Sequence, residues 1–240
     1  MPPAHLRVYY YGTTEPTVFT RRCEDARAEL LARGLQPADR VLDIGAGIGN
    51  RAIGLIGFLR GGYDGVEIRP EAVAWCQRAI TSRHPAFRFH RADVRSDAYN
   101  AGGRASAAHY RFPFADDSFD VVFLGSVFTH MLPDDVAHYL NEIRRVLAPG
   151  GWCVASFFLL NDATREGVEC ERSFMSFGVR DQSGRARLHD AAIPEAAVAL
   201  EEAFVLECCR QSRLAVKDVR RGGWATGSTN DQDVVTFLRQ

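Results

Sequence analysis

The stretch VLDIGAGIGN, Val41 to Asn50, decides how the rest of the chain is read. Val41-Leu42-Asp43-Ile44 is an apolar run of the kind that forms a strand buried on both faces. It breaks into glycines at alternate positions, Gly45, Gly47 and Gly49, and continues into a helical pattern. Glycine lets a chain turn sharply and lets backbone N–H groups approach a ligand with no Cβ in the way. A strand ending in such a turn, with an acid at its carboxyl end, suits a nucleoside-containing ligand held at the edge of a parallel sheet.

Working outward, strand and helix patterns alternate. A helix is predicted over Phe19–Arg33 and another over Arg51–Arg60, closed by Gly61-Gly62. Tyr63–Ile68 reads as the second strand and Pro70–Arg83 as the helix after it, with proline and Glu71 in its first turn. Phe87–Ala92 reads as a third strand, Asp120–Leu124 as a fourth and Trp152–Phe158 as a fifth, with a helix over Pro133–Leu147. Glu195–Arg213 is predicted helical, and Leu214–Arg220 and Asp233–Leu238 as a closing antiparallel strand pair. The expected class is therefore α/β, a doubly wound and mostly parallel sheet of seven strands, with ligands at the carboxyl ends of the strands. Two segments break the rhythm: the long loop Ser96–Asp117, and the polar stretch Asn161–Pro194.

The spacing of the glycines separates two kinds of ligand. A dinucleotide fingerprint, G-x-G-x-x-G, requires glycine where this chain has Asn50. The pattern Asp43-x-Gly45-x-Gly47-x-Gly49 instead resembles the first motif of the class I S-adenosylmethionine (SAM)-dependent methyltransferases. The block FPFADDSFDVVFLGSVFTHMLPDD, followed by YLNEIRRVLAPGG, is similar to the fourth- and fifth-strand region of the small-molecule members of that family. The resemblance spans about residues 38–158 and weakens over 161–232.

The resemblance implies a Rossmann-like methyltransferase fold, SAM as cofactor, and a set of contacts. Asp43 would organise the loop and the ammonium of the methionyl tail. Gly45, Ala46, Gly47, Gly49 and Asn50 would form the loop beneath the cofactor. Glu67, about 20 residues past the loop, sits where a carboxylate meets ribose hydroxyls, with Ile68 beside it. Asp93 resembles the acid that accepts the adenine amine, with Val94 against the ring. After the fourth strand, Gly125-Ser126-Val127-Phe128 replaces the Asn/Asp-Pro-Pro-aromatic motif of amino-base methyltransferases, which argues against amino-base methylation. The methyl-transfer pocket is expected there, with Ser126 as a further cofactor-binding residue.

His130 lies just beyond. Histidine is the usual general base near neutral pH, and here it can deprotonate a hydroxyl, orient one, or simply pack in the wall. His109 and His138 are weaker candidates. Tyr9, Tyr10 and Tyr11 form either part of a lid over the cofactor or a packed anchor. Trp224 and Phe174 either line the acceptor pocket or pack locally.

The expected domain plan is a single methyltransferase domain over 1–240, with an N-terminal helical lid over 1–37 and a substrate-side insertion over 161–194. The expected reaction is methylation of a small molecule, with a hydroxyl oxygen favoured. N- or C-methylation and a non-catalytic SAM-binding subunit are the alternatives. A homodimer is compatible with this plan. The formal net charge of −1 offers no broad footprint for a phosphate backbone, so nucleic acid is not an expected partner. No apolar run approaches the roughly 18 residues that span a membrane. The N-terminus lacks the pattern of a secretory signal. The six cysteines show no metal-site spacing, so no metal is expected, and a reducing cytoplasm is the natural compartment.

Overall fold

Val41–Ile44 forms the first strand, β1, fully buried, with Val41, Leu42 and Ile44 flanking a single acid, Asp43. The computed structural model describes residues 1–227, 229 and 231–240. These divide into two compact units: Met1–Asp93 with Phe119–Val121, and Val94–Ser118 with Val122–Gln240.

In the first unit, β1 pairs in parallel with β2 (Tyr63–Glu67), and β2 pairs in parallel with β3 (Phe87–Arg91). The register sets Asp43 opposite Gly65 and Glu67 opposite Arg91. Ahead of them lie α1 (Ala4–Tyr11) and α2 (Pro16–Ala32). The helix after the glycine loop, α3 (Asn50–Leu55), is shorter than its sequence pattern suggested, and Gly57 beyond it adopts a positive φ of 83°. The next helix, α4 (Pro70–Cys76), runs on through one π-helical turn over Gln77–Thr81.

The strand β4 (Phe119–Leu124) contributes its first three residues to the first unit, where the amides of Asp120 and Val121 reach the Arg40 carbonyl. The second unit is built on α5 (Pro133–Val146) and the long strand β5 (Leu147–Leu160). Residues 152–157 of β5 pair antiparallel with β10 (Asp233–Arg239), which pairs antiparallel with β9 (Leu214–Arg220). This is the expected C-terminal pair.

The last three residues of β5 pair in parallel with β8 (Val198–Glu201), a strand inside the stretch predicted as one long helix; the helix there, α7, starts only at Glu202. Val198, Ala199 and Leu200 are fully buried between β5 and β7 (Ala186–Leu188), and that pairing overrides their helical composition. The polar stretch 161–194 also gains structure: α6 (Asp162–Glu169) and a hairpin of β6 (Val179–Arg180) with β7. The seven expected strands are thus joined by three short ones, β6 to β8.

Glu142 and Arg145 on α5 explain why the helix before Pro149-Gly150-Gly151 carries an arginine. Arg145 bridges the Glu142 carboxylate, donates to the carbonyls of Phe112 and Phe114, and reaches Asp116, while Glu142 accepts the Phe112 N–H at 2.8 Å. This network fastens the end of the long loop to the helix. Among the described residues, no helix is long and apolar enough to cross a membrane.

Candidate functional site

The glycine loop holds its shape through positive φ angles at all three alternate glycines: 75° at Gly45, 54° at Gly47 and 76° at Gly49. At Gly49 a Cβ would also lie 2.6 Å from Ile80 Cδ1, so a larger residue there must shift the end of the Ile80 side chain. The loop answers its own polar groups. Gly45 and Ala46 donate to the Val66 carbonyl, at 2.8 and 3.0 Å, and Gly49 donates to the Ala46 carbonyl at 3.0 Å. Gly47 donates to Glu67 Oε2 at 2.9 Å. Asn50 reaches back to the Arg22 carbonyl on α2.

Glu67 closes β2 with its carboxylate buried, its other oxygen accepting the Arg69 N–H at 2.9 Å. Burial pushes this carboxyl above the usual range, while the N–H donors from Arg69 and Gly47 oppose that shift. Asp43 is fully buried one strand over. It accepts from the Tyr63 hydroxyl at 2.5 Å and from Arg51 at 3.4 Å. Burial raises its carboxyl too, against the pull of Arg51 and Tyr63. The first unit therefore gathers two carboxylates and the glycine loop. Ile68 is half-buried beside Glu67, and Asp93, just beyond β3, is half-buried and paired with Arg91 at 3.1 Å.

The same unit brings α1 onto the loop. The Tyr10 ring lies over Gly47, where a Cβ would meet it at 3.1 Å, and Arg69 stacks 3.7 Å above the Tyr9 ring. The tyrosine run thus packs on the glycine loop itself.

The second unit holds Val94, Ser126 and His130. Val94 is buried and bridges to Ala105. Ser126 is exposed with a positive φ of 55°; its amide donates to Ser156 Oγ, and both serine hydroxyls donate to Gln232 Oε1. His130 Nδ1 lies 3.1 and 3.0 Å from the carbonyls of Glu195 and Ala196. Carbonyls only accept, so Nδ1 carries the proton and Nε2 presents a lone pair toward the Tyr99 hydroxyl at 3.2 Å. Burial lowers the His130 pKa below 6.5, so the ring is neutral at pH 7, with the two carbonyls pulling the other way. Glu195 ties the arrangement together, its carboxylate accepting from Ser96 Oγ and the Asp97 N–H.

The remaining candidates separate. His109 is exposed, and His138 Nε2 sits 2.9 Å from the Tyr110 carbonyl. Trp224 is fully buried against Phe158 and Phe177, its indole N–H held by Asp233 at 2.8 Å, so it packs locally; Phe174 is exposed. Sequence reasoning passed over Tyr99 and Glu195. For Tyr99 the available signal was its place in the long loop Ser96–Asp117, whereas Glu195 opened a predicted helix and carried none.

With this geometry in place, comparison with known proteins is informative. Residues 42–155 match a methyltransferase domain family. That match covers 114 of the 240 residues, and over it the chain resembles the class I SAM-dependent methyltransferases. An uncharacterised methyltransferase of Schizosaccharomyces pombe is 27% identical over 132 residues, 55% of this chain and 44% of that protein. Cycloartenol-C-24-methyltransferase 1 of Oryza sativa subsp. japonica is 29% identical over 179 residues, 68% of this chain and 48% of that protein. The chain thus spans about half the length of the curated relatives it matches. Among solved structures, the 1,6-didemethyltoxoflavin-N1-methyltransferase of Burkholderia thailandensis, bound to its substrate and S-adenosylhomocysteine, superposes with a TM-score of 0.58 at 19% identity, covering 100% of this chain and 92% of that one. At that identity the likeness is one of fold.

SAM is the cofactor of this family, and the residues of the first unit fit it. A ribose diol requires a carboxylate at the end of β2, which Glu67 provides with acceptor capacity beyond the two N–H groups it already binds. Tyr10 Oη, buried and without a hydrogen-bond partner, leaves a polar group for a ligand to satisfy.

Proposed function

We propose that the chain binds SAM and transfers its methyl group to a small-molecule acceptor, with a hydroxyl oxygen as the attacked atom. The observation that carries the cofactor half is the Glu67 carboxylate, hydrogen-bonded to the Gly47 amide of a loop locked by three positive-φ glycines. In this reading Gly45 to Asn50 form the floor beneath the cofactor and Asp43 organises that floor through Tyr63 and Arg51. Glu67, with Ile68 beside it, takes the ribose, and Asp93 and Val94 take the adenine. When bound, SAM supplies an electrophilic methyl group already activated by its sulfonium, so the protein provides alignment, water exclusion and a proton acceptor.

His130 supplies that acceptor. Its neutral ring, fixed by two carbonyls at Nδ1, offers Nε2 to a hydroxyl that must lose a proton as its oxygen attacks. Ser126, held by Ser156 and Gln232 in a backbone conformation unusual for serine, shapes the wall after β4. We assign residues 161–194 to the acceptor side and residues 1–37 to a lid, within a single working domain of 240 residues. A cytoplasmic location suits six cysteines that are all unpaired, five of them buried.

Two measurements test this function. Calorimetry with S-adenosylhomocysteine should show saturable binding, and tritiated SAM with a panel of phenols, sugars and hydroxylated polyketides should show label transfer. No binding removes the cofactor reading. Binding without transfer to any acceptor, and without release of S-adenosylhomocysteine, leaves the non-catalytic subunit. Transfer confined to nitrogen or carbon acceptors overturns the hydroxyl assignment; relatives of this chain include named C- and N-methyltransferases.

A further inference from the structure

We propose that Glu195 is a positioning residue for the base, its main chain and its side chain holding opposite sides of His130. What the side chain supplies is an oxygen and not a negative charge. The proposal rests on the reading of His130 above. Pro194–Ala196 forms one 3-10 turn, and its carbonyls at Glu195 and Ala196 take the Nδ1 proton of His130 at 3.1 and 3.0 Å. That fixes one side of the imidazole. The other side belongs to Tyr99, whose ring meets the imidazole edge-on with centroids 4.9 Å apart. The Tyr99 hydroxyl lies 3.2 Å from each ring nitrogen. With Nδ1 protonated toward the carbonyls, Nε2 is the one that can accept it.

Tyr99 is mounted on a short turn. Its amide and that of Asn100 both donate to the Ser96 carbonyl, at 3.2 and 2.8 Å, and the Ser96 N–H returns to the Asn100 carbonyl at 3.2 Å. Asn100 Nδ2 donates to the carbonyl of the buried Val94 at 2.8 Å, which anchors the turn. Glu195 clips this turn from outside. Its Oε2 accepts both Ser96 Oγ, at 2.9 Å, and the Asp97 N–H, at 2.5 Å. The hydrogen bonds therefore close a circuit. It runs from the Glu195 carbonyl to His130, on to Tyr99, through the turn to Ser96, and back to the Glu195 carboxylate.

A closed circuit does what a single contact cannot. A histidine ring held at one nitrogen still pivots about that bond, and which nitrogen carries the proton is set by the partners on both sides. Acceptors at Nδ1 and a donor at Nε2 together enforce one tautomer. The lone pair stays on Nε2, where the hydroxyl to be methylated takes the place of the Tyr99 proton. Placement of this kind carries rate, since a misplacement of about 1 Å can cost about 100-fold. The clip is chemically specific as well. Its two donors are a hydroxyl and a backbone amide, both neutral, and both meet the same oxygen. One amide-type oxygen at that point serves them equally.

The test compares Glu195→Gln, which keeps an oxygen at the position of Oε2, with Glu195→Leu, which removes it. Ser96→Ala removes one of the two donors. Nitrogen-15 NMR of the ligand-free protein reads the ring directly and needs no methyl acceptor; the His130 signals are identified by their loss in His130→Gln. In neutral solution the wild type and Glu195→Gln should show a single tautomer protonated at Nδ1. Glu195→Leu should show ring shifts averaged between the two tautomers, and Ser96→Ala intermediate shifts. With any alcohol or phenol that the wild type methylates, kcat of Glu195→Leu should fall by about 10- to 100-fold while KM for SAM stays within about twofold. Glu195→Gln should keep kcat within about threefold of wild type.

A wild-type tautomer in Glu195→Leu overturns the proposal, and so does an unchanged kcat. Glu195→Gln as disturbed as Glu195→Leu overturns it too, because the charge would then be what matters. If thermal melts show Glu195→Leu unfolded, Ser96→Ala decides, and a wild-type tautomer there breaks the circuit argument. The reading of His130 fails separately: wild-type kcat in His130→Gln means that histidine is not the base, whichever tautomer it holds.

Discussion

Replacing Glu67 probes the cofactor site and the fold in one experiment. Its two carboxylate oxygens accept the Gly47 and Arg69 amides, each at 2.9 Å, and the side chain is 7% exposed. In Glu67→Ala both amides lose their acceptor, and at about 1–3 kcal/mol for each stranded donor the fold loses about 2 kcal/mol or more. Glu67→Gln keeps one acceptor oxygen and turns an NH2 toward the other amide, so its cost is that of a single donor, about 1–3 kcal/mol. The ribose diol loses its charged acceptor in both variants. That contact is worth about 1.5–3 kcal/mol, or about 10- to 150-fold in the dissociation constant for S-adenosylhomocysteine.

The pH dependence adds an independent sign. Burial raises the Glu67 carboxyl above 4.5. The stability this group contributes is therefore full below 4.5 and is lost as pH rises through the folded value, so the deficit of Glu67→Gln relative to wild type is largest in acid. Ligand affinity runs the opposite way. A diol donates best to the ionised form, so wild-type affinity falls as pH drops from neutral toward 4.5, and the glutamine variant stays flat. Calorimetry on variants shown by thermal melts to be folded decides the matter. An affinity for Glu67→Gln within twofold of wild type at neutral pH would refute the ribose assignment.

Other perturbations give equally definite outcomes. Once an acceptor is found, His130→Gln should lower kcat by about 10²–10⁴-fold while leaving calorimetric affinity for S-adenosylhomocysteine unchanged; an unaltered kcat removes the base. The acid limb of the wild-type rate profile should fall below pH 6.5, because burial lowers the His130 pKa, and stability from this group should likewise fade as pH drops from 6.5. Gly47→Ala forces a Cβ onto a φ of 54° and to within 3.1 Å of the Tyr10 ring, costing about 1–2 kcal/mol in a denaturant melt; no change in midpoint would contradict the packing of α1 on the loop. Asp233→Ala strands the amides of Leu159 and Gly222 and the Trp224 indole, held at 2.9, 3.0 and 2.8 Å. At about 3 kcal/mol or more the melting temperature should fall by about 6–12 °C, and a smaller loss than 2 °C would show that water takes over these donors.

The strand that bears Asp43 was legible because three of its four residues are apolar and the glycine turn after it leaves its mark at fixed positions, and the strand that bears Glu67 because it lies between the Gly61-Gly62 stop and the Pro70 helix start. The C-terminal pair was legible for a similar reason, with alternating strands on either side of a glycine-rich turn. The strand Val198–Glu201 was hidden. Its alanine, leucine and glutamate favour a helix locally, and only the long-range partners on β5 and β7 make it extended. The hairpin Val179–Leu188 was hidden by its brevity. At the site, residue types with a fixed spacing from the loop, such as Glu67, could be placed from sequence. Tyr10, Tyr99 and Glu195 could not, because their meaning lies in which neighbour each oxygen does or does not meet in space.

The self-contained hydrogen bonding of the glycine loop has a thermodynamic consequence. Ordering a slack backbone on binding costs about 1–2 kcal/mol per residue. A loop with the amides of Gly45, Ala46, Gly47 and Gly49 already engaged before any ligand arrives has little freedom left to surrender, so more of its contact energy survives as affinity. Its amide protons should exchange slowly with deuterated solvent in the ligand-free protein, and association should proceed as docking onto a standing surface. Adaptation, where binding requires it, then falls to the side chains laid across that surface rather than to the backbone beneath them.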